Sequence, residues 1–487
     1  MTGYQNMTDQ PEKTDRIPRK LDLNRREMPK QEAGVRSVNF DEVALGYSEA
    51  TAIEEANRCL LCKKPGCVGN CPVNIAIPDF IRAIAEGDFN RGVQILKQKN
   101  SLPSVCGRVC PQEEQCESEC VLTKRKGEIA IGRLERFLGD WEAAQEGAAL
   151  PEISPSTGRK VAIVGGGPAG LTAAADLAKL GHSVIIYEAL HKMGGVLSYG
   201  IPEFRLPKKI VDREVNYLRR LGVEMRTDYV IGKTRSVDSL LESFDAVFVA
   251  TGAGLPWFME MPGNNLNGVY SANEYLTRIN LMKGYDFPNS TTPVKPHRNV
   301  AVLGGGNVAM DCARTALRLG AQVSILYRRS RDELPARLEE VENAEEEGVK
   351  FRFLTLPMRA IGDENFCVTG LECVRMELGE PDASGRRSPV KVPDSEFILD
   401  FDCVIHAIGN SPNPLIAATT PELDISKKGT IIVDTQTGRT SKERVWAGGD
   451  VASGAATVIN AMGAGQRAAR SIHAYLCEPG PWKNSTE

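Results

Sequence analysis

Two stretches of this chain follow one plan, and a chain carrying both is committed to an α/β architecture. In the first, the apolar strand Lys160-Val-Ala-Ile-Val164 runs into Gly165-Gly-Gly-Pro-Ala-Gly170, a helix through Leu180, and a strand Ser183–Tyr187 that ends at Glu188. In the second, Asn299-Val-Ala-Val-Leu303 runs into Gly304-Gly-Gly-Asn-Val-Ala309, a helix through Leu319, and a strand over 322–327 followed by Arg328 and Arg329. A glycine fingerprint alone is weak evidence. Set between a strand and a helix, with a second strand ending in a residue placed to face a ribose, it is strong. The repeat predicts two separate dinucleotide-binding domains.

The chemistry of the two units differs. In the first, Gly165 makes the tight turn, Gly167 lets backbone N–H groups approach a pyrophosphate, and Gly170 permits close helix–strand packing. Pro168 suits the first helical turn, where its missing N–H has no partner to lose, and the helix N-terminus meets the phosphate charge. Glu188 accepts from a ribose 2′-OH and repels a 2′-phosphate, so this unit suits FAD or NAD. In the second unit Gly304 and Gly306 take the glycine positions, Asn307 opens the helix, and Ala309 stands third. Where the acid should be it has Tyr327-Arg328-Arg329, forked cations suited to a phosphate. That unit suits NADP(H); the bland alternative is a solvated basic strand end. A flavin in one domain and a nicotinamide in the other is the usual division. Val247-Phe-Val-Ala-Thr251-Gly252 and Val404-Ile-His-Ala-Ile-Gly409 read as crossovers between lobes. A late strand Val445–Ala447 leads through Gly448-Gly449-Asp450 into a helix over 457–476.

Eight of the thirteen cysteines precede these units, in two groups of four. One reads Cys59-Leu-Leu-Cys62-x4-Cys67-x3-Cys71-Pro72; the other reads Cys106-x3-Cys110-Pro111-x4-Cys116-x3-Cys120. Such groups hold iron–sulfur clusters, zinc or disulfides. The polar residues 1–35 carry no apolar signal segment, which points to the cytoplasm, a reducing compartment where structural disulfides are rare. A flavin passes on hydride pairs as single electrons and iron–sulfur clusters carry those, whereas zinc has no redox role; iron–sulfur is expected. Cys312, Cys367, Cys373, Cys403 and Cys477 form no CxxC pair and read as small buried hydrophobes rather than an exchange centre.

At 487 residues the chain should fold as about three domains. The expected division is a polar extension 1–45, a helical domain 46–150 binding two clusters, FAD-binding parts 159–297 and 410–478, and an NADP(H)-binding domain 298–409 inserted between them. The extension reads as a disordered tail or a partner-docking arm, and 151–158 as a linker. Helices are expected over 48–58 with Ser48 as cap, over 79–86, 89–97 and 131–144. Large apolar residues look sparse there, so clusters are expected to supply much of that interior. A net charge of −4 gives no electrostatic reason to bind nucleic acid, and no apolar run approaches the ~18 residues of a membrane span.

Together these features resemble the two-dinucleotide flavoprotein reductases. That resemblance implies flavin contacts from Gly449 and Asp450 and places Thr457, at the next helix start, near the flavin ring. More specifically, from about residue 40 to 476 the chain resembles the NADPH-dependent glutamate synthase small chain family. The carriers are both cysteine groups, Ala130-Ile-Gly-Arg-Leu-Glu-Arg-Phe137, Gly194-Gly-Val-Leu-Ser-Tyr-Gly-Ile-Pro202, Tyr327-Arg-Arg329 and Ala447-Gly-Gly-Asp450. Gly195 and Leu197 join Thr251 and Gly252 as candidate flavin contacts. Glu203-Phe-Arg-Leu-Pro-Lys208 and Ser271 through Lys283 look most like one subgroup, the large subunit of NADH-dependent reduced ferredoxin:NADP oxidoreductase.

The resemblance implies interleaved [4Fe–4S] ligands. One set is Cys59, Cys62, Cys67 and Cys120; the other is Cys71, Cys110, Cys116 and Glu135, with Cys106 a spectator. Without it, Glu135 would read as a surface helix glutamate. It also implies hydride exchange between NADPH and flavin N5 with no catalytic side chain, and electrons relayed to a partner subunit. That partner would be a ferredoxin-linked flavoprotein, or the glutamate synthase large chain that makes glutamate from glutamine and 2-oxoglutarate. A nucleotide- and zinc-binding module without turnover is the reading from another class.

Overall fold

The computed structural model describes residues 22–125, 127–145, 150–381, 387–478, 480 and 482; residues 1–21 of the polar extension lie outside the described residues. Its α/β part holds two five-stranded parallel sheets. The first runs Val445–Ala447, Ala246–Val249, Lys160–Val164, Ser183–Tyr187, Glu224–Arg226. The second runs Val269–Ser271, Cys403–His406, Asn299–Leu303, Gln322–Leu326, Lys350–Arg352. In each, the strand before the glycine turn is central and four of its five residues are buried. Such continuous apolar runs are what a parallel sheet covered on both faces requires.

The first sheet is closed by Val445–Ala447, so the flavin lobe is built from both sides of the nucleotide lobe. Val269–Ser271 pairs with Cys403–His406, so the second lobe takes an edge strand from the stretch assigned above to the flavin lobe, ahead of residue 298. The crossovers touch where Leu255–Pro256 pairs with Asn410–Ser411. An antiparallel sheet not anticipated from the sequence, Thr355–Gly362, Val368–Pro381, Arg387–Lys391 and Phe397–Asp400, is inserted in the second lobe.

The cysteine-rich region folds as helices Glu49–Asn57, Ile77–Ala85, Phe89–Lys97, Pro103–Val109 and Ile131–Ala144. Ser48 caps the first, its hydroxyl accepting from Thr51 N–H at 3.2 Å. Pro103–Val109 was not foreseen, because Pro103 reads as a breaker although it sits harmlessly in the first turn. This helix crosses Ile131–Ala144 closely: a Cβ on Gly107 would lie 2.4 Å from the Arg136 nitrogen, and one on Gly139 would lie 2.4 Å from Ser104 Oγ.

The interior here differs from expectation. Phe80, Ile81, Ile84, Leu96, Leu102, Val105, Leu134 and Leu138 are buried in one apolar core that continues into the flavin lobe. Each such side chain contributes about 1.5–3 kcal/mol, so apolar packing supplies much of this domain's interior.

Residues 22–45 are bonded to the molecule's own surface rather than hanging as a tail. Val43 N–H donates to Phe204 O at 2.9 Å, and Phe40 stacks on Tyr285 with centroids 4.5 Å apart. Arg36, only 1% exposed, reaches the second lobe, donating to Glu347 Oε1 at 2.9 Å and Asn343 Oδ1 at 3.0 Å. Two more ion pairs tie that lobe down: Arg205 with Asp311 at 2.7 Å, and Arg337 with Glu113 at 2.9 Å.

Candidate flavin, nucleotide and cluster sites

The first glycine turn has no room for side chains. Gly165 has φ +112°, and a Cβ there would lie 2.3 Å from Ala250 O; one on Gly170 would lie 2.0 Å from Gly165 O. Gly167 is the N-cap and Pro168 the first residue of helix Pro168–Lys179, leaving N–H groups of its first turn for an anion. Across from it, a Cβ on Gly195 would lie 2.9 Å from the Gly167 Cα, so two bare backbones face each other as a cradle. Glu188 ends the second strand, its Oε2 accepting from Gly166 N–H at 2.7 Å and Oε1 from Leu190 N–H at 2.9 Å. Burial pushes its carboxyl up, while these bonds hold it down. Each oxygen keeps a lone pair for a ribose hydroxyl.

Thr251 and Gly252 follow the neighbouring strand, and Gly449 follows the strand on its other side, so three strand ends converge on one crevice. Asp450 opens helix Asp450–Ser453, accepts from Ala456 N–H at 3.3 Å, and is pushed up to about 6 by burial. Thr457 caps helix Val458–Cys477, its Oγ1 accepting from Asn460 N–H at 3.3 Å. Leu197 stands apart: its side chain is wholly buried in the core.

The second turn repeats the geometry. Gly304 has φ +140° and its Cβ would lie 2.3 Å from Ala407 O, while Gly306 caps helix Asn307–Arg318 with nothing within 4 Å of its Cβ position. Asn307 Oδ1 accepts from Arg337 N–H at 3.0 Å. Arg328 is exposed, whereas Arg329 Nε donates to Arg387 O at 2.9 Å. Arg337 is a third arginine at this end of the lobe, missed in the sequence reading; besides Glu113 it donates to Gln112 Oε1 at 2.9 Å, within the second cysteine group.

The cysteines sort into two neighbourhoods. Cys59, Cys62, Cys67 and Cys120 line one small cavity walled by Ile77 and Leu122. Burial pushes Cys59 and Cys67 up to about 11, so an iron centre's positive charge is what would make them thiolates. Cys71, Cys110, Cys116 and Glu135 form the other: burial raises Cys71 and Cys116, and both also feel Glu135 and Cys110. None of these seven cysteines, nor Cys106, is paired in a disulfide. Among the described residues no three metal-binding side chains converge on a single point; Cys59, Cys62, Cys67 and Cys120 instead surround a cavity.

Glu135 is not a surface glutamate. It is 6% exposed and makes no ion pair among the described residues; burial pushes it up to about 8, against the pull of its one hydrogen bond, from Asn100. A buried carboxyl without a cation suits a positive metal centre. Cys106 is also here, in contact with Cys110 and with its Sγ 3.4 Å from Met462 Sδ.

This second neighbourhood abuts the flavin lobe along helix Val458–Cys477. Gln115 Nε2, beside Cys116, lies 3.5 Å from Thr457 Oγ1; a Cβ on Gly463 would lie 2.8 Å from Pro72 O; Gln466 Nε2 donates to Lys99 O at 2.6 Å. The helix that starts at the flavin crevice therefore runs directly onto the loops carrying Cys71 and Cys116.

Comparison with known proteins agrees with this layout. Residues 36–147 match the family described as dihydropyrimidine dehydrogenase domain II, 4Fe-4S cluster, and residues 159–465 match pyridine nucleotide-disulphide oxidoreductase. The glutamate synthase [NADPH] small chain of Azospirillum brasilense is 39% identical over 92% of this chain and 93% of its own. That of Escherichia coli is 36% identical over 94% of this chain and 98% of its own. The NADPH-Fe(3+) oxidoreductase subunit beta of Geobacter sulfurreducens is 41% identical over 85% of this chain and 64% of its own. The FprA structure from Mycobacterium tuberculosis shares the fold of 66% of this chain and 85% of its own, with a TM-score of 0.55 at 21% identity. With an iron–sulfur domain ahead of two dinucleotide lobes and full-length relatives at this identity, the chain belongs to the glutamate synthase [NADPH] small chain family of FAD-, NADP- and 4Fe-4S-dependent oxidoreductases.

Proposed function

We propose that this chain is the NADP(H)-handling subunit of a larger enzyme, exchanging hydride with NADP(H) at its flavin lobe and passing single electrons to a ferredoxin-linked flavoprotein partner. The observation that carries the relay is the helix Val458–Cys477, which joins the flavin crevice to the second cysteine neighbourhood. A bound flavin and two clusters would supply the conversion between electron pairs and single electrons.

The chain's own residues bind and orient. Gly165, Gly167, Gly170 and Gly195 leave backbone free for a pyrophosphate, and Glu188 takes the ribose. Gly449, Asp450 and Thr457 close the flavin crevice with Thr251 and Gly252. Gly304, Gly306 and Asn307 receive the nicotinamide dinucleotide, with Arg328 and Arg329 at its 2′-phosphate. Cys59, Cys62, Cys67 and Cys120 hold one cluster; Cys71, Cys110, Cys116 and Glu135 hold the other. Orientation is the protein's main task here, since hydride transfer between two bound rings needs no protein acid or base. Cysteines that hold iron rather than disulfides suit a reducing interior such as the cytoplasm, and no helix among the described residues is long and apolar enough to cross a membrane.

The ferredoxin-linked partner rests on the subgroup likeness of residues 203–208 and 271–283. The second reading, a glutamate synthase large chain as partner, rests on the full-length match to small chains of that enzyme. The native complex should reduce ferredoxin with NADPH when NAD⁺ is present; robust NADPH-dependent glutamate formation from glutamine and 2-oxoglutarate would instead establish the second reading.

Ligand assignment has its own test. Cys106→Ser should keep the full iron and sulfide content, whereas Glu135→Ala should alter one cluster's electron paramagnetic resonance signal and spare the other. Loss of iron from Cys106→Ser would make that thiol a ligand after all.

A further inference from the structure

A buried carboxylate with one oxygen held by a hydrogen bond has its other oxygen free for a metal, and the side chain bonded to Glu135 is Asn100. Asn100 is fully buried, between helices Phe89–Lys97 and Pro103–Val109. Its Oδ1 accepts the Leu102 N–H at 2.8 Å, which leaves the amide NH2 to face Glu135 Oε1 at 2.5 Å. The Leu102 N–H fixes the amide's orientation, because reversing the amide would set its NH2 against that N–H.

The flavin lobe in turn fixes Asn100. The preceding carbonyl, Lys99 O, accepts from Gln466 Nε2 at 2.6 Å, and the following Ser101 Oγ lies 3.5 Å from Thr172 Oγ1. The same Asn100 Oδ1 lies 3.7 Å from Cys106 Sγ, within reach of a thiol donor. One side chain thus engages both candidates for the fourth ligand of the second site: the carboxylate through its donor, the thiol through its acceptor.

We propose that Asn100 is the positioning residue of this site: it occupies Oε1 of Glu135 so that Oε2 is presented to iron, and it engages Cys106 so that the thiol does not take that place. The proposal rests on reading Glu135 as a ligand. Asn100→Asp removes the amide donor and keeps an acceptor for the Leu102 N–H, and Asn100→Ser removes the donor without setting a second carboxyl, able to share a proton, beside Glu135.

In the purified full-length holoprotein, with flavin content and melting temperature kept, Asn100→Asp should change one cluster's electron paramagnetic resonance signal and midpoint potential, or lose half the iron, and leave the other cluster's signal as it was. Asn100→Ser, whose hydroxyl can replace the acceptor but is too short to reach Glu135, should do the same and serves if the aspartate variant does not fold. Wild-type spectra and iron content would overturn the proposal. If Glu135→Ala alters one cluster while Asn100→Asp alters neither, the positioning role is wrong and the ligand assignment stands. If Glu135→Ala alters neither cluster, the ligand assignment falls and the positioning role falls with it. Adding Cys106→Ser to Asn100→Asp should change the signal again; identical spectra for the single and double variants would overturn the part assigned to Cys106.

Discussion

With both Arg328 and Arg329 replaced by glutamine, kcat/KM for NADPH should fall about 10²-fold or more while that for NADH changes little. A hydrogen bond to a charged group contributes about 1.5–3 kcal/mol, and about 1.4 kcal/mol is tenfold. Two such contacts to a 2′-phosphate would therefore give about 10²–10⁴-fold, and solvent at the exposed Arg328 moves the figure to the lower end. The two arginines should not share the effect equally. Arg329 already donates to Arg387 O at 2.9 Å, whereas Arg328 makes no side-chain hydrogen bond among the described residues and can turn fully onto a phosphate. Arg328→Gln alone should carry the larger part. Flavin reduction by each nucleotide, followed in a stopped-flow instrument, checks this. Equal losses for NADPH and NADH would mean that these side chains do not read the 2′ substituent.

The lobes were legible in the sequence because their demands are local. A Cβ on Gly165 or Gly304 would lie 2.3 Å from the carbonyl of a returning crossover, so the turn itself dictates the residue, and the strands before it are unbroken apolar runs. The cysteine neighbourhoods were legible only through likeness to a family, since spacing alone puts four thiols in each group. The burial of Glu135, too, was legible only through that likeness and not from the residues around it. Arg133 and Arg136 beside it suggest a solvated face, but Gly132 and Gly139 let that face press against the cysteine loops: a Cβ on Gly132 would lie 2.3 Å from Gln112 Nε2.

The joint between lobes was missed for a related reason. Arg36 with Glu347 and Arg337 with Glu113 join residues hundreds apart in the chain, which no periodicity registers. One clue was present. Arg314 and Arg318 stand four apart on a helix whose other buried residues are mostly Ala, Met, Cys and Thr with the single acid Asp311, and two buried guanidiniums on one face need a further acid from elsewhere. The stretches 203–208 and 271–283, read as a subgroup mark, also serve this joint: Arg205 pairs with Asp311, and Asn280 Nδ2 donates to Tyr199 O and Gly200 O at 3.2 Å. The edge strand Val269–Ser271 is only three residues long, too short for an alternating pattern to declare itself.

That joint should fail first in acid. Glu347 accepts from Arg314 at 2.7 and 2.9 Å, from Arg318 at 2.6 and 3.1 Å, and from Arg36 at 2.9 Å, with both acid and arginines buried. Burial alone would raise its carboxyl, but the bonds and charges of Arg314 and Arg318 outweigh that and hold it down at about 2, against an ordinary 4.5. A carboxyl depressed in the folded state contributes stability above its unfolded value and loses it as pH falls towards the folded one. Here that is about 3 kcal/mol, present at neutral pH and draining away between about pH 4.5 and 2. Glu347→Gln removes the shared counter-charge from three buried guanidiniums and should cost about 3–5 kcal/mol at pH 7. Denaturant melts of wild type and Glu347→Gln from pH 7 down to pH 3 separate the two effects. The variant should start lower and lose less on acidification, because its side chain no longer titrates. Parallel pH profiles for the two proteins would show that Glu347 is not the group holding the second lobe to Arg36 in the acid range.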